Sequence, residues 1–120
     1  MDPSVRQTIE ALARHFDDHD DRLGLTPHEQ WTLQVLKLAE ETGEAAQAVI
    51  GARGTNPRKK HIPADWSDVH AEVADVVVTS LVALQRMRPD DAAAYLREQL
   101  ASKAEKFLPA PAAPAEPRAV

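Results

Sequence analysis

An all-α, four-helix bundle completed by homo-oligomerisation is the fold class that three features of this sequence predict. Helix formers (Ala, Leu, Glu, Gln, Arg) dominate the composition, and no alternating, strand-like run is present. Four segments carry apolar residues at helical spacing, each bounded by capping or breaking residues. Finally, VADVVVTSLVAL, from Val73 to Leu84, holds a single charge in twelve residues. Its Val73, Val77 and Leu84 point one way while Val78 and Val82 point roughly the other, so a helix here needs cover on most sides. Three short neighbours cannot supply all of it, which predicts self-association.

The first helix is expected to start at Asp2 as N-cap with Pro3 in the first helical position, where a missing N–H costs nothing. Val5, Ile9, Leu12 and Phe16 form its apolar stripe, and the run DDHDDR with Gly24 is expected to end it. Thr26-Pro27-His28-Glu29 is a capping box that opens a second helix running to about Ile50. Residues 51–64, GARGTNPRKKHIPA, read as a loop. A third helix is expected from about residues 65–67 to Arg88, and a fourth from about Asp90 to Phe107 with Asp90 and Asp91 in its first turn. Residues 1–108 thus form one helical domain. The tail 109–120 holds four prolines among mostly alanines and is expected to be disordered.

Composition narrows the function. In 120 residues, 43% are hydrophobic, 28% are charged and cysteine is absent, so disulfides, cysteine-ligated zinc and thiol catalysis are excluded. No signal pattern or transmembrane-length run is present, which makes a soluble cytoplasmic protein without a membrane partner the expectation. The formal charge of −5 argues against binding a nucleic-acid duplex. Yet the 51–64 loop carries Arg53, Arg58, Lys59 and Lys60 and no acid. A compact basic loop beside acidic helices suits a small polyanion plus a metal. Arg58 and Lys59 would clamp phosphates there, unless they only solubilise a surface loop.

The chemistry-bearing pattern is a pair of carboxylate motifs. Glu41 and Glu44 are three residues apart on one face of the second helix, and Glu72 and Asp75 repeat that spacing on the third. Two antiparallel helices with such pairs bring four carboxylates together, and oxygen-only ligands favour Mg²⁺ or Mn²⁺ over zinc or copper. Gly43, between the two glutamates, would admit a close neighbour. Taken alone, Glu40, Glu41 and Glu44 are an ordinary solvated face, with Lys37 pairing Glu41 one turn on. Asp75 weighs against that, because an isolated buried carboxylate needs a metal, a cation or a proton. None of the five histidines falls in an E-x-x-H pair with these acids, which weakens a di-iron reading.

The pattern E-x-x-E, 27 residues, E-x-x-D resembles the signature of the MazG-like all-α nucleoside triphosphate pyrophosphohydrolases. LKLAEETGEAAQAVIG and AEVADVVVTSLVAL resemble its two motif helices, and GTNPRKK is similar to a loop of a short, single-module branch. The resemblance spans about residues 27–107. It implies a MazG-like four-helix bundle that hydrolyses a nucleoside or deoxynucleoside triphosphate to the monophosphate and pyrophosphate with Mg²⁺, as a homodimer or homotetramer. It implies Glu41, Glu44, Glu72 and Asp75 as metal ligands, with Glu40 either supporting them from behind or helping to orient the attacking water. The family's phosphate-facing residues on the last helix have no clean match here; Lys103 and Lys106 are the nearest candidates, or part of a solvated face. Two rivals stand beside the enzyme: a catalytically idle relative that binds nucleotide or metal, and a structural dimerisation protein.

Overall fold

The computed structural model describes residues 1–54 and 66–110. Among them the chain is all-α: α1 (Pro3–Arg22), α2 (Pro27–Ala52), α3 (Trp66–Met87) and α4 (Ala92–Phe107). The expectations for Arg58 and Lys59, and for the tail beyond residue 110, lie outside the described residues.

Local chemistry sets the helix starts. The Asp2 carboxylate accepts from the Ser4 N–H at 2.7 Å, with Pro3 opening the helix. At α2 the capping box closes in both directions: Thr26 N–H donates to Glu29 Oε1 at 3.0 Å, and Glu29 N–H to Thr26 Oγ1 at 3.3 Å. Between the two helices Gly24 has φ +73, the left-handed conformation that glycine adopts without strain.

Two boundaries differ from the sequence reading, each for a tertiary reason. The acidic run expected to terminate α1 instead forms its last turns, because Asp17 and Asp20 are held by an arginine on α3. At the start of α4, Asp90 and Asp91 precede the helix rather than entering its first turn. Arg88 binds the Asp91 carboxylate through two bonds of 2.9 and 2.6 Å, and its guanidinium lies 4.1 Å from the centre of the Tyr95 ring. That clamp shapes the α3–α4 corner.

Helix α3 is the centre of the bundle. α2 packs antiparallel along its length, α1 crosses it, and α4 touches it only near the corner. The apolar core is small: Ile9, Ala13 and Val82, flanked by Leu12 and Leu81. Beside it sits an unusual polar core. Arg86, its side chain 3% exposed, donates from Nε to Asp17 Oδ1 at 2.7 Å, from Nη1 to Gln34 Oε1 at 2.7 Å, and from Nη2 to Asp20 Oδ2 at 2.6 Å and Gln30 Oε1 at 3.1 Å. Gln30 in turn donates to Asp21 and to the Leu25 carbonyl. Burial pushes the Asp20 carboxyl up, but the Arg86 hydrogen bond, helped by His19, outweighs it and holds the group below the usual aspartate value. One side chain thereby ties α1, α2 and α3 together.

Much apolar surface is left bare. Leu33, Leu36, Val73, Val77, Val78, Leu100 and Phe107 are each between 42% and 68% exposed. No helix among the described residues is long and apolar enough to cross a membrane.

Replacing Arg86 by methionine keeps an unbranched apolar stem and strands Gln30, Gln34 and the two aspartates. The expected loss in urea unfolding is about 3 kcal/mol, the low end for a broken buried ion pair because Asp17 reaches solvent. A loss below about 1 kcal/mol, the worth of an exposed pair, would show that the hub does not hold the helices.

Candidate metal centre

Three turns along α2 and α3 from the arginine hub, the carboxylates meet. One oxygen each from Glu41, Glu72 and Asp75 lies within 4.8 Å of the others. The geometry follows from the helices: Glu41 continues the inner line of Gln30 and Gln34 on α2, while Glu72 and Asp75 are i, i+3 on the facing side of α3. The Glu41 side chain is only 12% exposed. Glu72 is half-buried, and its Oε2 is fully buried with no hydrogen-bond partner among the described residues. Such an orphaned acceptor is rare in folded proteins, since its desolvation is not repaid.

Glu44 is not one of the three converging groups, but it lies in their field. Its carboxyl is raised above the usual glutamate value, chiefly by the negative charge of Glu41, then by burial, a hydrogen bond with Glu41 and the charges of Glu72 and Glu40. Glu40 faces outward and shares Lys37 with Glu41, Nζ lying 3.5 Å from Glu40 Oε1 and 3.3 Å from Glu41 Oε1. The donor set is all carboxylate oxygen, which fits a hard divalent cation such as Mg²⁺ or Mn²⁺.

Two parts of the sequence argument change. Asp75 is exposed in the single chain, so the cost of an isolated buried charge does not apply to it; the buried orphan is Glu72. Gly43 faces open space, with nothing within 4 Å of a Cβ built there, so no close neighbour within the chain requires it. Lys103 and Lys106 lie on the exposed distal part of α4, 6.0 and 5.2 Å from the Phe107 ring centre, and neither forms an ion pair with the carboxylates.

A cavity of about 420 Å³ lies between α1, α2 and α3 over the arginine hub, and Lys37, the partner of Glu41, is its link to the carboxylates. Its apolar wall is built from Leu12, Phe16, Leu33, Val78 and Val82, and Gln34, Lys37, Thr79 and Arg86 supply polar groups. The sequence reading missed both this cavity and the Arg86 hub beneath it. The available signal was register: Arg86 stands one turn beyond buried Val82, and Gln30 and Gln34 stand on the α2 face that carries Glu41.

The Glu44 shift has a signed consequence. A carboxyl raised by folding keeps its proton longer folded than unfolded, so it contributes stability below 4.5, its unperturbed value, and loses it as pH rises through the raised value. Glu44→Gln should therefore raise the melting temperature of metal-free protein more above that window than below it, because Asp20, which Arg86 holds low and which acts with the opposite sign, is common to both proteins. Thermal melts in chelator on both sides of the window decide this; a Glu44→Gln effect independent of pH would contradict it. Comparisons with protein-family models, with curated proteins and with solved structures yielded no match to this chain.

Proposed function

We propose that this chain is a Mg²⁺-dependent nucleotide pyrophosphohydrolase, cleaving a nucleoside or deoxynucleoside triphosphate to the monophosphate and pyrophosphate. The observation that carries the reading is the convergence of Glu41, Glu72 and Asp75 within 4.8 Å, where Glu72 also has a buried oxygen without a partner among the described residues. The MazG-like motif spacing supports it, as does the cavity of nucleobase-compatible size that Lys37 links to the cluster.

In this reading Glu41, Glu44, Glu72 and Asp75 hold the metal. A divalent cation at such a site neutralises phosphate charge and acidifies bound water. Glu40 faces outward in the single chain, so orienting the attacking water would require its side chain to turn toward the cluster; otherwise it acts behind the ligands. Leu12, Phe16, Leu33 and Val78 offer an apolar wall to the base, and Arg58, Lys59, Lys103 and Lys106 are basic groups that the sequence offers to the phosphates. Because Lys103 and Lys106 stand away from the carboxylates of their own chain, this role for them requires a second copy.

Self-association is part of the proposal. The exposed leucines and valines of α2 and α3, with Leu100 and Phe107 on α4, form far more apolar surface than a small monomer usually leaves wet. Sedimentation at micromolar concentration should show a homodimer or homotetramer; a stable monomer would contradict it.

Asp75→Asn and Glu44→Gln keep side-chain shape and each remove one negative charge. Pyrophosphate release should fall on the order of 100-fold or more in each, since metal and water are no longer held. Without metal, both variants should melt at the wild-type temperature or higher, because carboxylate repulsion is relieved. A structural dimerisation protein would lose nothing and gain no stability from Mg²⁺. A metal-binding but idle relative would show the Mg²⁺ stabilisation without turnover. Full activity in Asp75→Asn would end the mechanism.

A further inference from the structure

Lys37 is the cation that the carboxylate cluster already owns. Its ammonium lies 3.3 Å from Glu41 Oε1 and 3.5 Å from Glu40 Oε1, and its side chain also lines the 420 Å³ cavity. It therefore stands on the boundary between the metal centre and the space beside it. Glu41 is the most buried of the three converging acids, so its pairing with Lys37 is in direct competition with any ion that enters.

Helix stability is a poor reason for this lysine. A lysine placed four residues before a glutamate is the less favourable order of the helical ion pair, because each charge then faces the wrong end of the helix dipole. Glu40 and Glu41 also sit in the middle of α2, where end effects of the dipole have faded. What distinguishes Lys37 is its position: half-exposed, on a flexible four-carbon stem, within reach of both the acids and the cavity mouth.

We propose that Lys37 is a tethered counterion that exchanges partners. In the empty site it neutralises Glu41; when a divalent cation takes Glu41, the ammonium is released toward the cavity mouth and binds a phosphate of the ligand. The exchange leaves the acids one positive charge richer, since a divalent ion replaces one ammonium, and that ammonium meets a phosphate oxygen. The inference rests on the metal-centre reading and adds to it a residue outside the four carboxylates.

The two halves of the exchange predict opposite signs for one substitution. Lys37→Met retains the stem and removes the charge. Titration of nucleotide-free protein with Mn²⁺ should show binding tighter by on the order of tenfold, because a unit positive charge a few ångströms from a divalent ion is gone. With Mn²⁺ saturating, inorganic pyrophosphate should bind on the order of tenfold more weakly to Lys37→Met than to wild type, for loss of a charge-assisted contact. Lys37→Arg should restore pyrophosphate binding. Unchanged or weaker Mn²⁺ binding by Lys37→Met overturns the exchange, as does unchanged pyrophosphate binding. If wild type binds no Mn²⁺, the metal centre itself is refuted and Lys37 is a surface residue. If metal binding follows the prediction but no triphosphate is hydrolysed, the enzyme reading fails and the exchange stands.

Discussion

The position of everything else depends on one buried guanidinium. Arg86 reaches α1 through Asp17 and Asp20 and α2 through Gln30 and Gln34, from a side chain that is almost fully enclosed. A core of Ile9, Ala13 and Val82 is too small to fix three helices by shape alone. Apolar contacts tolerate sliding, but a planar fork with four hydrogen-bond partners does not. Buried ion pairs add little net stability, yet they discriminate strongly against any arrangement that leaves a member unpaired.

That discrimination extends to the far end of the helix pair. Gln30 on α2 meets Arg86 on α3; eleven residues onward, Glu41 meets Asp75, eleven residues back along the antiparallel partner. Both helices advance about 16 Å over that interval. A slip of one turn would set Glu41 opposite Thr79 and strand the guanidinium at once. The carboxylate cluster is therefore in register because the hub is, and a mutation at Arg86 would reach the metal centre without touching it.

This dependence explains what could be read in advance. The capping box at Thr26, the Asp2 cap and the four helices follow from residues a few positions apart, and local chemistry was enough to find them. The convergence of Glu41, Glu72 and Asp75 was legible because i, i+3 spacing fixes each pair on one face. The hub was not legible: Asp17 and Asp20 read as the polar end of α1, and only a partner more than sixty residues away turns them into the last helical turns. Asp75 was misread as buried for a related reason, since its apolar neighbours Val77 and Val78 are themselves exposed in the single chain. An apolar sequence run reports that cover is needed, not that the same chain provides it.

The two ends of the α2–α3 pair treat charge in opposite ways, and the contrast favours function at one of them. At the Arg86 end the buried guanidinium and both glutamines have partners, and each bonded aspartate faces a donor. At the carboxylate end an acceptor of Glu72 is buried without a partner among the described residues, Glu44 is held protonated longer than an ordinary glutamate by its neighbours, and one lysine serves two acids. The same helices supply both ends, so the incompleteness is not a general looseness of the fold. Natural folds break local rules at few places, and those places are most often where a ligand completes them. A divalent cation would satisfy the orphaned acceptor, lower the repulsion on Glu44 and release Lys37 in one step.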